Sequence, residues 1–373
     1  MLDYPGKVAV ITGAASGIGY AIAARAAAEG MSVVPVDIDA AALADAAASL
    51  RATGASVHPV TADVSDRESV ADLARRVSEQ AGDAWLLVNN AGVYMSAPFT
   101  EMPLNQWEYV IGVNLWGVVH CLHAFLPGMV SRDSGYVVNT SSIDGLVTVR
   151  NATAYVAAKH AVSALSETLY RELAEAGSAV GVSVLAPAAV ATGILNSARH
   201  WPARLGPAPV VPERDGYPAL DEVMRPEEAA GILFAGIAER RFWILTHPEQ
   251  SAPAIRGRAE DITAGRNPGE ESVDPNFRKS TGRTPSLAAP GSPGPGPVAG
   301  AGRTGGAGYG LSRYRWGRRG GRTASGRPRG SARRRSGRAS PAGACRSRRE
   351  PHTARSPRPV PGRGRRDLVR SAG

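Results

Sequence analysis

Short apolar runs alternate with longer amphipathic or alanine-rich stretches through the first 250 residues of the chain. The short runs are apolar at consecutive positions, which is typical of strands that are buried on both faces of a sheet. This pattern predicts seven strands, at residues 7–12, 32–37, 55–60, 85–88, 136–140, 181–185 and 242–245.

The stretches between these strands have the length and periodicity of helices. In residues 66–81, for example, Val70, Leu73 and Val77 recur at helical spacing and share one face. Strands that alternate with helices predict an α/β fold, a doubly wound parallel sheet with ligand at the carboxyl ends of the strands. Helices are expected at residues 17–30, 40–53, 66–81, 104–130, 154–176 and 226–239, with a further helix-like stretch at 254–264.

Residues 193–225 break this rhythm. They contain five prolines, together with Trp201 and Tyr217, and show no helical or strand periodicity. A long irregular insertion at the mouth of such a sheet is usually functional, and we expect it to act as a lid.

Charge divides the chain into two parts. Residues 280–373 contain 22 arginines, no lysine and two acids, so this segment carries +20 and the preceding 279 residues carry −10. The segment is rich in Gly, Pro, Ser and Ala and has little apolar periodicity, which predicts a disordered basic tail. Out-of-frame translation of GC-rich DNA is the favoured interpretation of the tail, and nonspecific binding of polyanions is the alternative; no specific nucleic-acid partner is expected.

Domain boundaries follow from these patterns. Residues 1–250 are expected to form the folded domain, residues 251–279 its C-terminal extension, and residues 280–373 the tail. A chain truncated near Lys279 is expected to keep its fold and activity.

The first strand runs into a glycine-rich turn, Thr12-Gly13-Ala14-Ala15-Ser16-Gly17-Ile18-Gly19. Gly13 permits a tight turn, Gly17 lets the backbone approach a pyrophosphate, and Gly19 lets helix and strand pack closely. The helix that follows offers its amides and the positive end of its dipole to phosphates. Strand, glycines and helix in this order predict a dinucleotide site of the Rossmann type that includes Gly13, Ser16, Gly17, Ile18 and Gly19.

Asp37 closes the second strand, 24 residues after Gly13. A carboxylate there can accept hydrogen bonds from both hydroxyls of an adenine ribose, and it repels a 2′-phosphate. The next residue, Ile38, carries no positive charge, so NAD is expected in preference to NADP. The alternative is an ordinary turn acid, since Asp39 lies nearby.

Together with the glycine-rich turn, five further motifs stand in order along the chain: Asp63-Val64, Asn89-Asn90-Ala91-Gly92, Asn114, Ser142 and Tyr155-Val156-Ala157-Ala158-Lys159. On these motifs the sequence resembles the short-chain dehydrogenase/reductase family over about residues 5–250. The resemblance implies a nicotinamide-dependent oxidoreductase that interconverts an alcohol and a carbonyl. It places Asp63 and Val64 beside the adenine. It places Asn90, with Ala91 and Gly92, at the adenine-side ribose. It also places Val190 and Thr192 against the nicotinamide carboxamide, although Ala188 stands where the family usually has glycine.

Tyr155 and Lys159 are four residues apart, so on a helix they share one face. The ordinary pKa of tyrosine is about 10, and a neighbouring ammonium lowers it toward the range useful for acid/base catalysis. Ser142 is expected to hydrogen-bond the substrate oxygen, with Ser141 as the competing choice. The resemblance also implies that Lys159 binds the nicotinamide ribose and that Asn114 holds a water that links Lys159 to solvent.

Other features limit the partners. The two cysteines and the scattered histidines show no metal-ligand spacing, so no metal is expected. The N-terminus has no signal-peptide pattern, and the apolar stretch 109–130 contains Asn114 and two histidines, which favours a buried or interface helix over a membrane span. We therefore expect a cytoplasmic protein, with no membrane partner, that acts on a small alcohol or carbonyl compound.

The helices at 104–130 and around Tyr155 are apolar on more than one face, and in the family they pair across a two-fold axis, so a homodimer or homotetramer is expected. Tyr94, Met95, Val149, Trp201 and Tyr217 predict a mostly apolar substrate pocket, to which Asp144 could add one polar contact. Two alternatives remain: an NADP-dependent carbonyl reductase, and a nucleotide-binding regulatory or RNA-associated protein that acts through its basic tail.

Overall fold

The computed structural model describes residues 3–209 and 223–269, and the structural statements below concern these residues. The predicted α/β fold is confirmed. Seven strands form one parallel sheet in the order β3-β2-β1-β4-β5-β6-β7. The strands are β1 (Val8–Thr12), β2 (Ser32–Asp37), β3 (Val60–Thr61), β4 (Ala84–Asn89), β5 (Tyr136–Thr140), β6 (Gly181–Ala186) and β7 (Trp243–Leu245).

Helices cover both faces of the sheet. They are α1 (Gly17–Ala28), α2 (Ala40–Ala52), α3 (Arg67–Gln80), α4 (Leu104–Ile111), α5 (Gly117–Ser131), α6 (Thr153–Glu175), α7 (Pro226–Ala238) and α8 (Pro248–Thr263). Successive side chains of β1 lie on opposite faces of the sheet. Ile11 packs with the layer of α1, α2 and α7, whereas Val10 packs with the layer of α3, α5 and α6. The consecutive apolar runs of the sequence thus correspond to strands with two buried faces.

The third strand is shorter than predicted. Pairing was expected over residues 55–60, but β3 contains only Val60–Thr61, and Val57 adds an isolated bridge to Val33. Pro59 lies between them and has no N–H to donate to a ladder, so regular pairing with β2 begins only after it.

The helix predicted at 104–130 contains a local defect. A π-helical turn, Gly112–Trp116, joins α4 to α5 and contains the fully buried Asn114. Turns of this kind frequently occur at functional sites. The whole helix, Leu104–Ser131, has the length and the mean hydropathy, 1.5 over its most apolar window, that a membrane span needs. Its α5 part, however, packs Val118, Cys121 and Phe125 against the sheet, as a core helix does.

The insertion at 193–225 is partly described. It begins with two short 3₁₀ segments, Gly193–His200 and Ala203–Leu205. Its two ends lie together, because the Ala191 N–H donates to the carbonyl of Met224 at 2.9 Å. Residues 210–222, with the predicted pocket residue Tyr217, lie outside the described residues, as do residues 270–373 and therefore the predicted tail.

Candidate active site

A cavity of about 320 Å³ opens at the carboxyl ends of the central strands. Its wall is continuous from the glycine-rich turn to the start of α6, so the sequence motifs meet in one place. The predicted site residues that line it are Gly13, Ser16, Gly17, Ile18, Asp37, Asp63, Val64, Asn90, Ala91, Gly92, Ser142, Tyr155, Lys159, Val190 and Thr192. Gly19 and Asn114, also predicted, lie behind this wall.

The glycine-rich turn has no room for side chains. Gly13 and Gly17 have φ values of +67° and +56°, in the left-handed region that favours glycine. A Cβ on Gly13 would lie 2.9 Å from Ala91 Cα, and one on Gly19 would lie 2.0 Å from the carbonyl oxygen of Gly13. The turn therefore presents bare backbone to the cavity, and α1 begins there with no acid in its first turn.

Thr12, the last residue of β1, and Asn90, which follows the neighbouring strand β4, hold this turn in place. Thr12 Oγ1 accepts the N–H groups of Asn90 and Ala91 at 2.9 and 3.0 Å, and Asn90 Nδ2 donates to the carbonyl of Thr12 at 3.0 Å. Asn90 thus supports the turn as well as lining the cavity. No role was predicted for Thr12, although its place immediately before Gly13 was a usable signal.

Asp37 and Asp39 have different surroundings. Asp37 reaches across to the glycine-rich turn, where Oδ2 accepts the Ala15 N–H at 3.0 Å, and its Oδ1 accepts the Asp39 N–H at 3.1 Å. Asp39 caps α2 by accepting the Ala42 N–H at 3.0 Å. Asp37 is therefore held in the cavity wall beside the turn. The exposed backbone of the turn and the carboxylate of Asp37 together fit the adenosine half of a dinucleotide.

Asp63 and Val64 form the next part of the wall. Asp63 Oδ1 accepts the backbone N–H and the hydroxyl of Ser65 at 2.9 and 2.7 Å. Val64 packs so closely on α5 that a Cβ on Gly117 would lie 2.8 Å from its Cγ2. Both residues are held by protein contacts, which fixes the shape of the pocket at this end.

Lys159 is buried directly beside Tyr155. Its Nζ donates to the carbonyl of Thr140 at 2.8 Å and lies 5.6 Å from the centre of the Tyr155 ring. Only 2% of Lys159 is exposed, and this burial lowers the pKa of its ammonium group to about 8. The Tyr155 ring also meets the edge of the Tyr94 ring at a centroid distance of 4.8 Å.

The structure distinguishes the two adjacent serines. Ser141 Oγ donates to the carbonyl of Lys159 at 2.9 Å and is hydrogen-bonded to Ser163 Oγ at 2.8 Å, so it is committed to α6. Ser142 Oγ accepts the Asp144 N–H at 3.1 Å and makes only a long 3.5 Å contact to the carbonyl of Pro187. Ser142 is therefore the hydroxyl that can donate to a ligand in the cavity.

Asn114 lies behind Gly92. Its Oδ1 accepts the Val93 N–H at 2.9 Å and its Nδ2 donates to the Val93 carbonyl at 2.8 Å. A Cβ on Gly92 would lie 3.1 Å from Asn114 Oδ1 and 3.7 Å from Lys159 Nζ. Asn114 and Lys159 thus approach each other across this glycine, and Asn114 holds the chain that follows β4.

A buried polar network connects α6 to the sheet. Asn89 Nδ2 donates to Asn139 Oδ1 at 2.8 Å, and Asn139 Nδ2 donates to Ser166 Oγ at 2.9 Å. These bonds join the ends of β4 and β5 to the helix that carries Tyr155 and Lys159. Sequence patterns did not reveal this network because its members are distant in the chain.

Val93, Tyr94, Tyr109 and Ile194 contribute apolar and aromatic side chains to the wall of the cavity. Trp201, which was expected in the wall, instead packs behind it against Tyr109, with ring centroids 5.1 Å apart. Met95 and Val149 also belong to the apolar cluster behind the wall. Asp144 lines the cavity, as predicted.

Ala188 fits its position without strain. Its φ is not among the positive values of the described non-glycine residues. Its N–H donates to Thr246 Oγ1 at 3.1 Å. The departure from the family's usual glycine therefore leaves the loop after β6 intact.

Metal ligands and reactive thiols are not part of this site as described. Within residues 3–209 and 223–269, no three His, Cys, Asp or Glu side chains form a group that could hold a metal ion. Cys121 is 1% exposed, and burial raises the pKa of its thiol to about 12, so it is a core residue.

Comparison with known proteins agrees with the site. The family described as short chain dehydrogenase matches residues 7–203, and the chain belongs to this family. The CLA biosynthesis dehydrogenase/reductase of Lactiplantibacillus plantarum is 31% identical over 284 residues, covering 74% of this chain and 99% of the relative. The 1-deoxy-11-beta-hydroxypentalenate dehydrogenase of Streptomyces exfoliatus is 35% identical over 259 residues, covering 69% and 88%. A short-chain dehydrogenase/reductase of Burkholderia phymatum, solved in complex with NAD, is 42% identical with a TM-score of 0.68, covering 72% of this chain and 99% of that one.

Proposed function

We propose that this protein is an NAD-dependent dehydrogenase that oxidises an apolar alcohol to a carbonyl compound and catalyses the reverse reduction. The single observation that carries the proposal is the arrangement of Tyr155, Lys159 and Ser142 in the cavity that also contains the glycine-rich turn. A protein that only binds a nucleotide has no need of a buried ammonium group beside a tyrosine.

The chemistry divides between the residues and the cofactor. In the oxidation, the phenolate oxygen of Tyr155 would accept the hydroxyl proton of the alcohol. A nicotinamide held in this cavity would supply the acceptor for the hydride of the carbinol carbon, so that two electrons would leave carbon with the hydride while the proton stays on Tyr155. Lys159 stabilises the phenolate form of Tyr155 because its ammonium group lies against the ring in a site of low dielectric. Ser142 donates a hydrogen bond to the substrate oxygen.

Cofactor preference is assigned to Asp37. Its carboxylate lies beside the glycine-rich turn, where it can accept hydrogen bonds from both hydroxyls of an adenine ribose. Ile38, which follows it, is 43% exposed and carries no charge to attract a 2′-phosphate. The relative from Burkholderia phymatum was solved with NAD, which supports the same preference.

The substrate is proposed to be predominantly apolar. Val93, Tyr94, Tyr109 and Ile194 contribute apolar surface near Tyr155, and Asp144 contributes one acid. Such a wall favours a hydrocarbon or ring skeleton over a strongly charged one.

Self-association is proposed through the two long helices. Trp116 on the π-helical turn is 52% exposed, Val130 on α5 is 41% exposed, and Tyr170 on α6 is 45% exposed. Large apolar side chains exposed on adjacent helices commonly mark interfaces. We expect a homodimer or homotetramer, and light scattering that found only monomers would contradict this.

A panel of alcohols tests the activity. Purified full-length protein is incubated with aliphatic, cyclic and aromatic secondary alcohols and with NAD or NADP, and the reduced nicotinamide is measured by its absorbance. Oxidation of apolar alcohols, faster with NAD, is expected. Faster turnover with NADP would overturn the cofactor assignment. If NADH bound but neither the alcohols nor the matching ketones were converted, the dehydrogenase proposal would be contradicted.

A further inference from the structure

One arginine of the insertion lies at the phosphate end of the cavity, although no sequence motif pointed to it. Thr192 directly precedes the insertion, and its Cγ2 lies 3.1 Å from where a Cβ on Gly17 would be. The 3₁₀ segment Gly193–His200 then returns toward its own start, because Arg199 Nη1 donates to the carbonyls of Gly193 and Asn196 at 2.7 and 2.9 Å. These contacts hold the guanidinium group next to the residue that follows Thr192, and therefore near the glycine-rich turn.

Packing contacts keep this segment in place. Ser197 is 3% exposed; its Oγ accepts the Tyr94 N–H at 2.9 Å, and its carbonyl accepts the Tyr109 hydroxyl at 2.9 Å. Farther along, Asn105 Nδ2 donates to the carbonyl of Leu205 at 3.0 Å. Arg199 is thus presented from an anchored backbone rather than from a free loop.

The lining of the cavity holds more acids than bases. Four acids line it, Asp37, Asp39, Asp63 and Asp144, whereas the basic groups among the described lining residues are Lys159, Arg199 and His200. Lys159 is committed to the Tyr155 end by its bond to Thr140. Burial lowers the pKa of His200, so its imidazole is the weaker base of the two. Arg199 therefore offers a pyrophosphate on the glycine-rich turn a positive charge beyond the backbone amides and the dipole of α1.

The free donors of Arg199 suit a phosphate. Its Nη1 is used by the two carbonyls, while Nε and Nη2 make no hydrogen bond to any residue that the structure describes. A guanidinium group fixed on one side and open on the other is pre-oriented for two-point binding of phosphate oxygens. Its exposure keeps the desolvation cost of the charge low.

We propose that Arg199 binds the pyrophosphate of the dinucleotide, an inference that rests on the proposed function of the cavity. Arg199 acts on cofactor affinity and positioning. Arg204, in the same insertion, serves a different contact, since its Nη2 donates to Ser65 Oγ at 3.2 Å and it does not line the cavity. It therefore offers a matched control.

Equilibrium binding tests the proposal without turnover. The dissociation constants of NADH and of ADP are measured for wild type, Arg199→Met, Arg199→Lys and Arg204→Met at several salt concentrations. We expect Arg199→Met to weaken both ligands about tenfold, Arg199→Lys to recover part of this loss, and Arg204→Met to remain within about twofold of wild type. The salt dependence of binding should also become shallower in Arg199→Met, because one ionic contact is lost.

The outcomes separate the proposals. Unchanged affinity in Arg199→Met would overturn the role of Arg199 while leaving the dehydrogenase proposal intact. A loss that does not depend on salt would also overturn it, since it would show that Arg199 only supports the fold of the insertion. An equal loss of affinity in Arg204→Met would overturn the direct contact, because it would show that any positive charge in the insertion has the same effect. If wild type bound neither NADH nor ADP, the function proposed for the cavity would fail first.

Discussion

The two ends of the cavity are built in different ways. The cofactor end consists largely of backbone and of short polar side chains tied to backbone, as in the turn braced by Thr12 and Asn90. The end proposed for the substrate consists of large side chains, Tyr94, Tyr109 and Ile194, drawn from segments distant in the chain. The cofactor end, built mainly from backbone, suits one fixed ligand. The shape of the other end can be altered by substitution of single side chains. This difference explains how a common cofactor chemistry can serve different substrates.

Tyr155 lies where the two ends meet, and its replacement is expected to have the largest effect. Tyr155→Phe keeps the ring that packs on Tyr94 and removes the oxygen that is proposed to exchange the proton. We expect kcat to fall about a thousandfold, with NADH affinity unchanged. Steady-state kinetics and NADH titration measure the two quantities, and retention of more than about a tenth of kcat would mean that another group is the base.

The pH dependence of stability shows how strongly the ammonium group of Lys159, beside Tyr155, is desolvated. Burial lowers its pKa from 10.5 to about 8, so the unfolded chain binds more protons than the folded one between these values, and stability rises with pH there. The unfavourable free energy of burying the charged ammonium group is fully present below about pH 8. It disappears above about pH 10.5, where the group is neutral in the folded and the unfolded chain.

The variant Lys159→Met has a side chain of similar length without the charge. Its stability advantage over wild type should therefore shrink by about 2 to 3 kcal/mol from about pH 7 to about pH 10. Urea unfolding of both proteins at the two pH values measures this change. A difference that stays constant with pH would show that Lys159 is not desolvated as described.

Asp37 tests the cofactor end alone. Asp37→Asn removes the charge while keeping an oxygen to accept the Ala15 N–H. We expect the preference for NAD over NADP, expressed as the ratio of kcat/KM values, to fall about tenfold, or about 1.4 kcal/mol. Asp66→Asn is the control, because Asp66 caps α3 and does not line the cavity. An unchanged ratio in Asp37→Asn would remove Asp37 from cofactor selection.

Ile194 tests the substrate end alone and should have the smallest effect. Ile194→Ala removes apolar surface from the wall, so KM for a bulky alcohol should rise about threefold to tenfold while NADH affinity stays the same. Leu195→Ala is the matched control, since Leu195 is the next residue and does not line the cavity. Equal changes in the two variants would show that the insertion is loosened as a whole.

The same contrast explains what could be predicted from the sequence. The strands, the glycine-rich turn and the pair Tyr155–Lys159 depend on local spacing, and the predicted fold is confirmed in all but details such as β3, which Pro59 shortens. The choice between Ser141 and Ser142 required the contacts of α6. The position of Arg199 and the packing of Trp201 behind the wall depend on how the insertion folds back, which no local pattern encodes.

Transfer of an isotope label tests the central claim most directly. A secondary alcohol oxidised by the wild-type protein is prepared with deuterium on its carbinol carbon, incubated with the enzyme and NAD in ordinary water, and the reduced cofactor is analysed by NMR. Direct hydride transfer predicts one deuterium at C4 of the nicotinamide, on a single face, and no labelled cofactor above background with Tyr155→Phe. Reduced cofactor with two protium atoms and no deuterium at C4 would mean that the hydrogen came from the solvent, and it would contradict the account.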